Sequence, residues 1–428
     1  MNSMIQDQVE EELFKECPDC KASIPIHSGY ITWCECGYNL HPKIEGDKKK
    51  SRIDRLYEHL GNKSGQVVFN KMMNSPNVKP KISFVNGLAF IIATIVHTLS
   101  FVSFSFGMYL LTFQYSHFTC LFFGLILIGI AWFTRPRFGK LEDDERILPR
   151  EEIPAVYAVM DDLTASMGLK KIDGIIIDQN YNAAITKIGW RRRTIVIIGV
   201  PYFAALSPEE QCSVMAHELG HYINKDLTYG FYIGTALNTI YDWYTLLDPV
   251  PSEQTFEYSL LDMVTNFLMK VLAQVPFCFY WLLLHLIWNK SQIGEYLADY
   301  RAAQTCGSLA VANDLEKLHY GGVYFHCLSK VSLDDGQSNV IDEFRKALSL
   351  MPEREKKRYK LQCAREKFQL DATHPPTTFR IQFIEKQNLP GTFTIDSEKS
   401  KKMFAELEAM KETIHKIAVE DYRYYWLN

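Results

Sequence analysis

Apolar and polar positions are spread unevenly along this chain, and the longest apolar run is the first thing to explain. From Ile82 to Thr134 there is no Asp, Glu, Lys or Arg. A helix needs about 20 apolar residues to cross the hydrocarbon layer of a bilayer. The run therefore predicts two spans, broken at Gln114–His117. Two more apolar stretches follow, Leu227–Leu247 with Asp242 inside it and Met263–Trp288 with Lys270. They predict a second membrane hairpin, with buried or half-inserted helices as the alternative. Lys79 and Lys81 precede the first pair, and Arg135, Arg137 and Lys140 follow it. Lys225 and Lys290 bracket the second pair, whose connecting loop carries Asp248, Glu253, Glu257 and Asp262. By the positive-inside rule the flanks of both hairpins face the cytoplasm.

The pattern changes outside those runs. Residues 140–226 and 289–428 read as soluble α+β segments. GIIID (174–178), NAAITKIGW (182–190) and RTIVIIGV (193–200) have the β-branched content and turn breaks of strands. SPEEQCSVMAHELGHYI begins Ser-Pro with acidic residues in its first turn, as a helix N-terminus should. Ser51–Lys81 reads as a short helix and a linker. PEREKKRYKLQCAREK (352–367) reads as a solvated basic helix face, and the segment from about Ser397 as an amphipathic helix.

Composition narrows the class. With 47% hydrophobic residues and a net charge of -4, the chain is neither largely disordered nor a nucleic-acid-coating protein. Four of its 10 cysteines, Cys17, Cys20, Cys34 and Cys36, crowd into the N-terminal head. Two close pairs of thiols suit a structural zinc ribbon in a reducing compartment better than a disulfide framework. The second pair is C-x-C where the common spacing is C-x-x-C, so His27 or His41 stands as an alternative ligand. The acidic N-terminus MNSMIQDQVEEELFKE lacks the basic and apolar regions of a cleaved export signal.

The chemistry centres on MAHELGHYINKD (215–226). Residues four apart on a helix share a face, about 6 Å apart along the axis. His217 and His221 can thus reach one metal ion, with Glu218 beside them placed to hold a water. A catalytic zinc needs a third protein ligand and an open position. Glu295 in IGEYLADYRAA (293–303) is the candidate, with Asp299 one turn later to orient a histidine. His221 stands shortly before the third apolar stretch and Glu295 shortly after the fourth. Helices continued out of a membrane hairpin would bring both to a similar height. His319, His326 and Cys327 in HYGGVYFHC also look metal-like, but a structural role is favoured.

These motifs resemble those of the HtpX-type membrane zinc metallopeptidases, gluzincins related to the CAAX-prenyl endopeptidases. The resemblance runs from about Ile82 to Glu385 through HELGH (217–221) with Asp226, EYLAD (295–299) and THPPTTFRI (373–381). It implies an α+β fold, a mainly helical zincin-like domain with a small sheet. That domain is fused to transmembrane helices; the zinc ribbon read from the head cysteines is an addition outside the common family pattern. Residues 1–50 form the head, 51–81 a polar linker and helix, and 82–134 two spans. Residues 135–428 form the peptidase domain, with a membrane hairpin at 227–288. His217, His221 and Glu295 would hold one catalytic zinc, besides a structural one in the head. Glu218 would be the general base, Asn182 and His374 would hydrogen-bond the reacting carbonyl, and Asp299, Asp226 and Arg380 would orient the ligands. The implied activity is endopeptidase cleavage of misfolded or membrane polypeptides by a multi-pass protein in the bilayer, with its catalytic domain in the cytoplasm and no nucleic-acid partner. A zinc-binding scaffold that cuts nothing and a prenyl-protein processing peptidase are the alternatives.

Overall fold

A computed structural model of the chain describes residues 13–41, 52–75, 84–137, 139, 141, 146–224, 226–248, 260–334, 338–370 and 374–427. The architecture is mostly helical, with two small sheets. The head contributes an antiparallel hairpin, β1 (Leu13–Glu16) and β2 (Ser23–Ile26), in which Leu13 pairs with Ile26. After it comes α1 (Arg52–Asn74), 23 residues long rather than the short helix expected. One stripe of α1 is apolar, so Val68, Phe69 and Met72 are buried in the main core instead of forming a linker.

Helices α2 (Phe84–Phe113) and α3 (Phe118–Phe133) break where the polar QYSH stretch predicts. Next come α4 (Pro154–Ser166), the strands β3 (Gly174–Asp178), β4 (Ala183–Ile188) and β5 (Arg193–Gly199), and the short α5 (Val200–Ala204). The sheet order is β3-β5-β4, with β3 parallel and β4 antiparallel to the central β5. Successive residues of β5 are buried, so both of its faces are covered, and RTIVIIG accordingly reads as an apolar run from Ile195 on.

Helix α6 (Pro208–Ile223) carries HELGH. Ser207 caps it, accepting the Glu210 amide, while the Glu210 carboxylate accepts the Ser207 amide. Helix α7 (Asp226–Leu247) begins after a break, so α6 does not continue into the third apolar stretch. Helix α8 (Leu260–Cys306) does run unbroken from the fourth apolar stretch through Glu295. At 1.5 Å per residue it is roughly 70 Å long. Among the described residues, α2 and α8 are long and apolar enough to cross a membrane; α3 is apolar but only 16 residues long. Their outer faces expose Phe101, Phe122, Leu125 and Phe267. Asp242 of α7 is paired at 3.2 Å with Arg137, just beyond α3.

The chain then forms α9 (Ser308–Lys317), a 3₁₀ turn (Leu318–Tyr320), α10 (Gly321–Leu333), α11 (Val340–Ser349) and α12 (Glu353–Ala364). Helix α13 (Thr377–Gln387) follows, and two helices, α14 (Ser397–Ala409) and α15 (Lys411–Trp426), replace the single one expected at the C-terminus. The main core joins α1, α4, the sheet, α6, α8, α9, α13 and α14.

Helix α12 corrects the reading of PEREKKRYKLQCAREK as a solvated face: the head docks on it. Arg354 lies over the Trp33 ring at 4.5 Å and donates to its carbonyl, and Lys357 pairs with Glu35. Arg358 and Gln362 both donate to the Leu40 carbonyl, at 3.2 and 2.7 Å. Arg358 is buried with Glu355, its partner one turn earlier. Removing one member of a buried pair strands the other, typically for about 3–5 kcal/mol. Arg358→Met is therefore expected to release the head. Hydrogen exchange across residues 13–41 should lose protection on the order of 3 kcal/mol, while the main core keeps its own.

Candidate active site

Two helices carry the site, and a glycine sets how closely they meet. A Cβ on Gly220 would lie 2.8 Å from the Ala298 Cα and 3.1 Å from its carbonyl oxygen. HELGH and EYLAD therefore touch backbone to backbone, which brings short side chains from both helices to one point. An interior helical glycine costs about 1 kcal/mol against alanine. That cost was the signal that could have singled out Gly220 from sequence. Gly220→Ala is expected to destabilise by about 1–3 kcal/mol through overpacking and to weaken metal binding. Gly322→Ala, where nothing lies within 4 Å, should do neither. Thermal unfolding and zinc titration of the two variants check both halves.

At the crossing, Nε2 of His217 and Nε2 of His221 stand 3.2 Å apart. The Glu295 carboxylate lies 3.6 Å from the first and 3.5 Å from the second. One donor atom from each of the three residues falls within 4.8 Å of the others, a cluster that could hold a metal ion. His217 Nδ1 is 2.8 Å from Asp299 Oδ1. An ionised carboxylate can only accept, so the imidazole proton sits on Nδ1 and Nε2 keeps its lone pair for the cluster.

Arg380 ties this arrangement together from α13. Its Nε and Nη2 donate to the two Asp299 oxygens at 2.8 and 2.7 Å, and its Nη1 lies 3.5 Å from Glu295. Burial alone would raise the Asp299 carboxyl, but the Arg380 guanidinium outweighs it and holds Asp299 well below the usual carboxylate range. Glu295 likewise opposes its burial: the hydrogen bond from His374 and the Arg380 charge hold it down to about 2. Burial raises Glu218 above its ordinary range, with the neighbouring histidines opposing that rise.

A cleft of about 850 Å³ opens over these residues. Ala183–Lys187 of β4 form one wall, and Phe231, Ile233 and Gly234 of α7 with Ile287 of α8 continue it. On the side away from β5, the described partner of β4 is an isolated bridge from Gly139 to Ile188. Asn182 and His374 both line the cleft, and His374 Nδ1 is 2.7 Å from Glu295. The structure thus gathers His217, Glu218, His221, Glu295, Asp299, His374, Arg380 and Asn182. Asp226 opens α7, but its side chain lies outside the described residues. Asp314, absent from the sequence reading, also lines the cleft, and burial pushes its carboxyl well above the ordinary range.

The head holds a second cluster. Cys17, Cys20, Cys34 and Cys36 bring their sulfurs within 4.8 Å of one another, with Cys17–Cys36 at 3.7 Å and Cys20–Cys34 at 3.5 Å. The C-x-C spacing still works, because Gly37 at φ +115° lets the chain turn immediately after Cys36. His27 and His41 are not among the residues of this cluster. His326 and Cys327 do not join His319 either: His326 is exposed, and Cys327 is buried against α11 and α15.

A family model described as Peptidase family M48 matches residues 152–388, more than half of the chain. A curated protein of Methanocaldococcus jannaschii, named Protease HtpX homolog, is 23% identical over 258 residues, which cover 59% of this chain and 82% of that protein. No solved structure matches.

Proposed function

The chain belongs to peptidase family M48, and from that membership and the cleft we propose a membrane-embedded zinc endopeptidase whose metal is held by His217, His221 and Glu295. One observation carries the reading: donors from two distant sequence segments converge on one point in a cleft walled by β4, whose described partner on the side away from β5 is the single bridge from Gly139. The donor set fits zinc, since two imidazoles and a carboxylate leave a fourth position open. When bound, zinc supplies Lewis acidity, lowering the pKa of water to about 7 and polarising the scissile carbonyl. Glu218 accepts the proton of the attacking water and delivers it to the leaving amine. Asn182 and His374 hydrogen-bond the carbonyl oxygen as negative charge develops on it. Asp299 and Arg380 hold the His217 ring and its proton in place.

Substrate binding follows from the wall of the cleft. An extended polypeptide adds to the edge of β4 by backbone hydrogen bonds, which read shape more than sequence. The α7 and α8 residues lining the cleft extend it toward the exposed apolar helices, so unfolded or membrane polypeptides are the substrates. The helix pairs cross the bilayer with the head and catalytic domain in the cytoplasm, as their flanking charges require. The four head cysteines hold a structural zinc.

The test uses the full chain in detergent or proteoliposomes with an unstructured membrane-protein reporter. Chelation is expected to stop cleavage, and added Zn²⁺ to restore it. Cleavage that persists after the metal is verified absent overturns the zinc mechanism. Site-specific cutting of a single folded soluble protein, with the reporter untouched, overturns the substrate class.

A further inference from the structure

His319, set aside in the sequence reading as structural, meets two residues far along the chain. Cys363 in the last turn of α12 and Glu366 just beyond it face the 3₁₀ turn that carries His319. An imidazole nitrogen, the sulfur and a carboxylate oxygen lie within 4.8 Å of one another. His319 Nδ1 is 3.8 Å from Glu366 Oε1. Its Nε2 is buried and has no hydrogen-bond partner among the described residues. Cys363 is a free, buried cysteine, and Glu366 is exposed, giving an ion a way in.

We propose that His319, Cys363 and Glu366 form a third metal site, separate from the catalytic cluster and the head. Three unlike donors of this kind suit a borderline to soft divalent cation, Zn²⁺ before Mg²⁺ or Ca²⁺. Three protein ligands leave a fourth position for water. Glu316 adds negative charge nearby and pairs with Lys360 of α12 at 2.9 Å.

The position gives the site a purpose. Helix α12 is the surface on which the head docks through Arg354, Arg358 and Gln362. Leu318, next to His319, lines the cleft, and α12 packs against α13, whose first residue Thr377 also lines it. An ion here pins the head's platform to two walls of the cleft. The site is a structural staple, and nothing in it touches a substrate.

The test is metal content of the full-length protein after zinc loading and removal of loose ion. His319→Ala and Cys363→Ala are each expected to lose about one equivalent per chain, and the double variant no more than either. His221→Ala, measured alongside, reports the catalytic site independently. If it loses zinc while the His319 and Cys363 variants match wild type, the third site is overturned and the peptidase reading stands. A second measurement guards against misfolded variants. Cobalt is loaded into a chain with Cys17, Cys20, Cys34 and Cys36 replaced by Ser. A thiolate-to-cobalt absorption band that vanishes on adding Cys363→Ala supports the site. Its absence before that change overturns it.

Discussion

Glu218→Gln is expected to keep its full zinc content while peptide hydrolysis falls by about a hundredfold to ten-thousandfold. The substitution keeps the shape of the side chain and removes its ability to take a proton. In the proposed mechanism Glu218 acts twice, on the attacking water and on the leaving amine, so one change weakens both proton transfers. The side chain lies between His217 and His221 in sequence yet outside the donor cluster. Metal binding and turnover should therefore separate cleanly. Zinc is counted on the purified full-length variant, and cleavage of an unstructured membrane-protein reporter is followed under identical conditions. A variant that retains zinc and cuts as fast as wild type assigns the base elsewhere. A wild type that holds zinc and cuts no reporter at all favours the scaffold alternative.

What the sequence makes legible here is local. The central strand β5 could be read because both its faces are covered, leaving RTIVIIG without polar alternation. The start of α6 could be read because Ser207, Pro208 and Glu210 are a cap, an N1 proline and a capping-box acid. Glu295 and Asp299 could be paired because four residues is one helical turn. What stayed hidden is contact between distant segments. Nothing in PEREKKRYKLQCAREK distinguishes Arg358, buried with Glu355 under the head, from the exposed lysines around it, since burying a charge depends on partners supplied elsewhere. Gly220 meets Ala298 across a helix crossing, and His319 meets Cys363 and Glu366 between the 3₁₀ turn and the end of α12. The bond from His374 to Glu295 is likewise tertiary. The spacing of His319, His326 and Cys327 suggested a different grouping, because sequence proximity is a poor guide once a turn intervenes.

Arg380→Met should have the largest effect on stability, and its pH dependence identifies the cause. Arg380 and Asp299 are both buried and joined by two hydrogen bonds. Breaking such a pair costs about 3–5 kcal/mol because the surviving charge has no solvent. In the wild type the Asp299 carboxyl is depressed by Arg380. Its contribution is thus present above the unfolded pKa, about 3.9, and is lost as pH falls through the folded value. Without Arg380 burial dominates and raises that carboxyl. The variant then loses stability as pH rises through its new value. The deficit against wild type should be full near pH 7 and shrink as the solution approaches about pH 4. A deficit constant with pH would mean that lost packing, and not the stranded carboxylate, sets the cost. Asp299→Asn added to Arg380→Met removes the stranded charge and should recover much of the stability. It should not recover zinc affinity, expected to stay about 10–100-fold weaker, because neither variant has the Arg380-held carboxylate that fixes the His217 ring, and an amide at 299 accepts the Nδ1 proton more weakly. Stability and metal binding, moved together by the single change, come apart in the double variant. That separation distinguishes a residue that positions a ligand from one that merely fills the core.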